Sequence, residues 1–124
     1  MREIVTTPDA PPSSSPVSQA TKSGGMVFIG GQMPRDPKTD KIVEGAEAQA
    51  RCSMDHCIAL LEAAGVGPDD VTLAIVYVTD LAAKPAVNSV FREAFGDKPP
   101  ARNLVAVKEI GEGAIVEIGL IAVS

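Results

Sequence analysis

The chain has 124 residues, 45% of them hydrophobic and 22% charged, with three Phe, one Tyr, no Trp and a formal net charge of −5. That size and composition fit one globular domain spanning 1–124 and exclude a disordered chain. The acidic balance argues against a nucleic-acid surface, which needs clustered Lys and Arg to displace counterions, and against an anionic membrane surface; no apolar run reaches the roughly 18 residues of a membrane span.

In chain order, a short strand is expected at about 3–5, in a polar opening without the apolar stretch of a signal peptide. A Pro/Ser loop follows at 7–16, and then two strands at 17–22 and 26–32 that Ser23, Gly24 and Gly25 join as a hairpin. After a loop at 33–40, an apolar stripe of Ala50, Met54, Cys57, Ile58, Leu61 and Ala64 predicts a helix over 46–64, ended by Gly65. Cys52 and Cys57, five apart on that helix, turn to different faces, so a disulfide between them is not expected. Reduced thiols point to a soluble protein of the cytoplasm. Pro68, Asp69 and Asp70 form a turn, and the β-branched run 71–79 reads as a buried strand. A second helix is expected over 85–95, with Pro85 in its first turn and Gly96 past its end. Strands at 103–108 and 114–123 complete an order β-β-β-α-β-α-β-β, an α+β or α/β domain with one mixed sheet.

Two helices cover only one face of such a sheet. The last strand, however, is apolar on both faces: Val116, Ile118 and Leu120 on one, Ile115 and Ile121 on the other. The face without helices therefore needs a cover, and self-association is the expected one.

Two charges stand alone in these apolar strands. Arg102 lies in the run 99–107, and Glu117 is the only charged residue in 114–123. A charge in a buried strand is costly unless paired or used. A guanidinium can clamp a carboxylate through two parallel hydrogen bonds, and a Glu can position or activate a water. The same two residues could instead form a buried ion pair between strands.

Six segments resemble one family in the same order and at matching separations. Gly30-Gly31-Gln32-Met33-Pro34 is similar to the Gly-Gln-hydrophobic-Pro turn of the Rid (reactive intermediate deaminase, YjgF-like) family. Gln49-Ala50-Arg51, opening a helix that ends Glu62-Ala63-Ala64-Gly65, resembles it too, as do Val76 to Leu81 and Val87-Asn88 followed by Phe91. Pro100-Ala101-Arg102 and Val116-Glu117-Ile118 match its two most recognisable positions. The resemblance covers nearly the whole chain. It implies a chorismate-mutase-like α+β fold, with a mixed sheet, two helices on one face and a homotrimer whose active sites lie between subunits. It also implies hydrolysis, without a cofactor or metal, of reactive enamine or imine intermediates to 2-oxo acids and ammonia. By the same resemblance Arg102 binds the substrate carboxylate and Glu117 holds the attacking water. Gly31, Leu104 and Asn88 line the pocket.

Three positions depart from the family pattern. Val17 stands where many deaminases of this family carry Tyr, Gly30 where they have Ser or Thr, and Leu104 where they have Cys or another small polar residue. The expected pocket is roomier and less polar, suited to larger substrates such as 2-aminomuconate or imines of leucine and methionine. A non-catalytic, ligand-binding or protein-protecting member of the same fold is the alternative. A ribonuclease fits poorly with a charge of −5 and a single His. Cys52 and His56, at i and i+4, offer two ligand-type side chains, too few for a metal site, and the Gly pairs lack a phosphate-loop pattern.

Overall fold

The computed structural model describes residues 1–124. Six strands form one sheet: β1 (Glu3–Val5), β2 (Ala20–Ser23), β3 (Met26–Gln32), β4 (Val71–Val78), β5 (Ala101–Ala106) and β6 (Val116–Val123), in the order β1-β2-β3-β6-β4-β5. All pairings are antiparallel except β4 with β5, which are parallel and joined through helix α2 (Lys84–Phe95). Helix α1 (Ala46–Ala63) lies between β3 and β4 in the chain. No helix is long and apolar enough to cross a membrane.

Local sequence accounts for most of these boundaries. Gly24 and Gly25, both at positive φ, make the tight turn between β2 and β3. β2 begins at Ala20 rather than at 17, so Val17 lies in the preceding loop. The Gln19 amide explains this: it bonds to Thr7, Ala10 and Pro11 carbonyls and staples that loop to the sheet edge. α1 ends in paired bonds, Val66 N–H to Leu61 O and Gly65 N–H to Glu62 O, and Lys22 Nζ caps Ala64 O at 2.9 Å. β5 starts at Ala101, two residues earlier than expected, because its register against β4 begins with Leu73 opposite Ala101. β6 starts at Val116, two residues later than expected. β4 ends one residue early and α2 starts one residue early.

The core lies between one sheet face and both helices. Val27, Ala74, Val76, Val116, Ile118 and Leu120 supply the sheet side, packed against Met54, Leu60, Leu61, Val87 and Val90. The opposite face carries no helix. The row Phe28, Ile121 and Leu73 crosses three strands there, and Tyr77 and Val105 extend it toward β5. Phe28 remains 39% and Val105 48% exposed in the single chain. β5 is an edge strand with mostly exposed residues, so Arg102 does not sit in a buried strand as its apolar neighbours suggested.

Candidate active site

The site begins with an irregularity in the sheet. From Met26 to Ile29, β3 pairs evenly with β6 and places Ile29 opposite Leu120; beyond it the register shifts, and Gln32 pairs with Ile118. Gly30 and Gly31 therefore oppose the single Gly119, a β-bulge. A Cβ on Gly119 would come within 3.1 Å of Ile29 O and 3.4 Å of Gly31 N. A Cβ on Gly31 would lie 2.8 Å from the Glu117 carboxyl carbon. The glycines bring two backbones together and leave the space over Gly31 for the Glu117 side chain.

Glu117 pairs with Tyr77 across the sheet and so points to the face without helices. It is half-buried, and burial raises its carboxyl above the ordinary glutamate value. It opens into a cleft of about 530 Å³ that is also lined by Val17, Gly30 and Gly31. The other walls mix polar and apolar groups. They include Ser13, Ser14, Ser15, Gln19 and Arg35, with Arg35 paired to Glu112 and, at 3.4 Å, to Asp40. The loop that Gln19 folds back over the sheet edge adds hydroxyls beside the apolar surface of Pro11, Pro12, Val17 and Met33. Nothing in the spacing of those serines announces this, since the loop reaches the cleft only through tertiary contacts.

Arg102 lies elsewhere. It pairs with Ala74, whose side chain is in the core, and so faces the helices. Its Nη2 donates to Asn88 Oδ1 on α2 at 2.9 Å, and its guanidinium carbon lies 4.9 Å above the centre of the Phe91 ring. With Asn88, Phe91 and Pro100 it lines a second cleft. Burial lowers the pKa of Arg102 from the ordinary guanidinium value. Leu104, two residues along the same face, packs against the core and lines neither cleft. Within one chain Arg102 and Glu117 form no ion pair and occupy opposite faces of the sheet. The alternative of a buried Arg–Glu bridge between two strands of one chain is therefore excluded.

Cys52 and His56 do meet, at 3.3 Å, but they do not form a nucleophile pair. His56 Nε2 is 2.8 Å from Arg35 O. A carbonyl only accepts, so this nitrogen carries the hydrogen and cannot take a proton from Cys52. Burial, then the Asp55 and Asp36 carboxylates, push the Cys52 thiol up to about 11. No third ligand-type side chain joins the pair.

Comparison with known proteins agrees with this fold. The family model described as endoribonuclease L-PSP matches residues 7–124. A RutC family protein of Pyrococcus horikoshii is 41% identical over 98% of both chains. The 2-iminobutanoate/2-iminopropanoate deaminase of Salmonella typhimurium is 36% identical over 99% of this chain and 98% of its own. The crystal structure of Escherichia coli TdcF with bound serine superposes with a TM-score of 0.94 at 33% identity, covering 98% of each chain. With a matching family model over almost its full length and relatives of this identity, the chain belongs to the Rid family, within the endoribonuclease L-PSP group.

Proposed function

We propose that this protein is a hydrolytic deaminase of imino and enamino acids, and that each working site joins the Glu117 cleft of one copy to the Arg102 cleft of another. The observation that carries the reading is the pairing of unlike half-sites on one chain. One holds a half-buried carboxyl above a glycine, and the other holds a guanidinium of which Asn88 takes a single N–H. A homotrimer is the proposed assembly. The exposed apolar face of Phe28, Ile121, Leu73 and Tyr77 supports it. The Salmonella relative's name supports the reaction class.

In this mechanism the Arg102 fork fixes the substrate carboxylate by two parallel hydrogen bonds. Water attacks the protonated imine carbon while the Glu117 carboxylate takes a proton from it. The resulting carbinolamine receives that proton on nitrogen; its C–N bond then breaks as the Glu117 carboxylate takes the hydroxyl proton, and that proton passes to the departing ammonia, so that ammonium and the 2-oxo acid leave. A half-shielded carboxyl with a raised pKa suits both directions of transfer. Positioning does the rest, because protonated imines are already electrophilic.

Val17 and Gly30 leave room in the cleft, and Arg35 and the serines place polar groups along it. We therefore propose larger substrates with a polar far end, 2-aminomuconate among them. The test is the rate at which imines generated in situ disappear, measured by trapping them as semicarbazones. Accelerated loss with wild type, about a hundredfold less with Arg102→Ala and none with Glu117→Ala is expected. Undiminished turnover in either variant would overturn the assignment. A serine-derived imine should be slower than a dicarboxylic one by tens-fold, since a few lost contacts are worth about 1–3 kcal/mol.

A further inference from the structure

One ridge of α1 is polar in the middle of the core. Gln49, Ser53 and Cys57 follow at four-residue spacing, so their side chains stack along one line, and all three are buried. Gln49 Oε1 accepts from the N–H of Ile115 at 2.7 Å and of Val116 at 3.2 Å. The Cys57 thiol donates to Ile118 O at 3.3 Å. Between them the Ser53 hydroxyl accepts from Ile118 N–H at 3.0 Å and donates to Gln32 O at 2.7 Å. These bonds bracket Glu117 on its own strand.

The Ser53 bridge is the one that spans two strands. Gln32 is the residue after Gly31, and Ile118 is the residue after Glu117. A single hydroxyl therefore ties together the two strands at the point where the bulge breaks their register and where Glu117 lies over Gly31. Burying three polar side chains against a strand that could have packed on apolar ones is costly unless the bonds they make matter.

We infer that Ser53 is a positioning residue for Glu117: its hydroxyl sets the gap between β3 and β6, and with Gln49 and Cys57 it fixes where the carboxyl sits in the cleft. The kinetic arm of the test rests on the deaminase reading; the spectroscopic arm does not. The variants are Ser53→Ala, Cys57→Ala, Cys57→Ser and, as a packing control on the same helix, Met54→Leu. Each is read by kcat and KM on an imine substrate and by the ¹³C titration of the Glu117 carboxyl. Glu117 titrates in sight of Cys57 on α1, Tyr77 on β4, and Arg35 and Glu112 in the cleft, none of which the variants other than those at Cys57 replace.

Ser53→Ala should lower kcat about tenfold to a hundredfold with KM within about twofold, the signature of a misplaced group. Its Glu117 titration should move down toward the ordinary glutamate value as water enters the loosened bulge. Cys57→Ser, which keeps a donor for Ile118 O, should restore most of what Cys57→Ala loses. Met54→Leu should change thermal stability and neither of the other readouts. A wild-type titration and kcat in Ser53→Ala would overturn the inference, as would an equal change in Met54→Leu. Should Ser53→Ala not fold, equal losses in Cys57→Ala and Cys57→Ser would overturn it. A wild type without turnover, whose Glu117 titration still shifts in Ser53→Ala, would sink the deaminase reading and support the positioning role.

Discussion

At the residue scale, Arg102 and Glu117 are each held from behind with the charged end free. Asn88 and the Phe91 ring orient the guanidinium plane, which a lysine ammonium cannot reproduce. Arg102→Lys should therefore fail nearly as badly as Arg102→Ala, each losing about a hundredfold in kcat/KM, or about 2.7 kcal/mol. Glu117 carries a raised pKa because burial disfavours its ionised form. The folded chain thus binds this proton more tightly than the unfolded chain. The resulting contribution to stability is present at low pH and is lost as pH rises through the folded midpoint. Turnover needs the carboxylate, so kcat/KM should rise with pH through a midpoint above about 4.3, the ordinary glutamate value. Glu117→Gln should abolish turnover at every pH yet melt no lower than wild type at neutral pH, as a thermal melt can check. Gly31→Ala should displace the Glu117 carboxyl and cut kcat about tenfold or more without preventing folding.

At the scale of elements, the site depends on the local failure of one ladder. β3 and β6 pair evenly until Ile29, and three glycines let the bulge form where a regular strand would have put a side chain over Glu117. α1 supplies the compensating hydrogen bonds. Gln49→Ala leaves the Ile115 and Val116 N–H groups without their acceptor and should cost about 1–3 kcal/mol. Urea denaturation should show this as a lower midpoint with an unchanged slope. Gln49 and Ser53 were legible in principle, because they share the helical stripe of Cys57; their polar character set them apart from the apolar positions that define a helix face.

At the scale of the molecule, the uncovered sheet face makes a testable statement about assembly. Phe28, Ile121 and Leu73 form a continuous apolar row with no helix above it. Ile121→Lys should place an ammonium in the proposed subunit interface and yield a monomer or an unfolded chain, with loss of turnover because the two half-sites no longer meet. Sedimentation velocity distinguishes the outcomes: a trimeric wild type with a dissociated variant is expected, and a monomeric wild type would contradict the assembly.

Sequence alone determined the order of elements and the division of the last strand into one row of Val116, Ile118 and Leu120 and another of Ile115 and Ile121, because apolar periodicity and turn glycines are local properties. It also singled out Arg102 and Glu117 as charges without a local excuse, and the resemblance to the Rid family supplied the roles proposed for them. Only the tertiary structure decided that the two lie on opposite faces of the sheet. That follows from register: Arg102 opposes Ala74 while Glu117 opposes Tyr77, and a one-residue difference in pairing reverses the face a side chain meets. The serines of the Glu117 cleft were equally out of reach, since they come from a loop that Gln19 folds back over the sheet edge. Strand edges, bulges and loop docking are settled by contacts between distant segments, and those are what separate the two halves of the site.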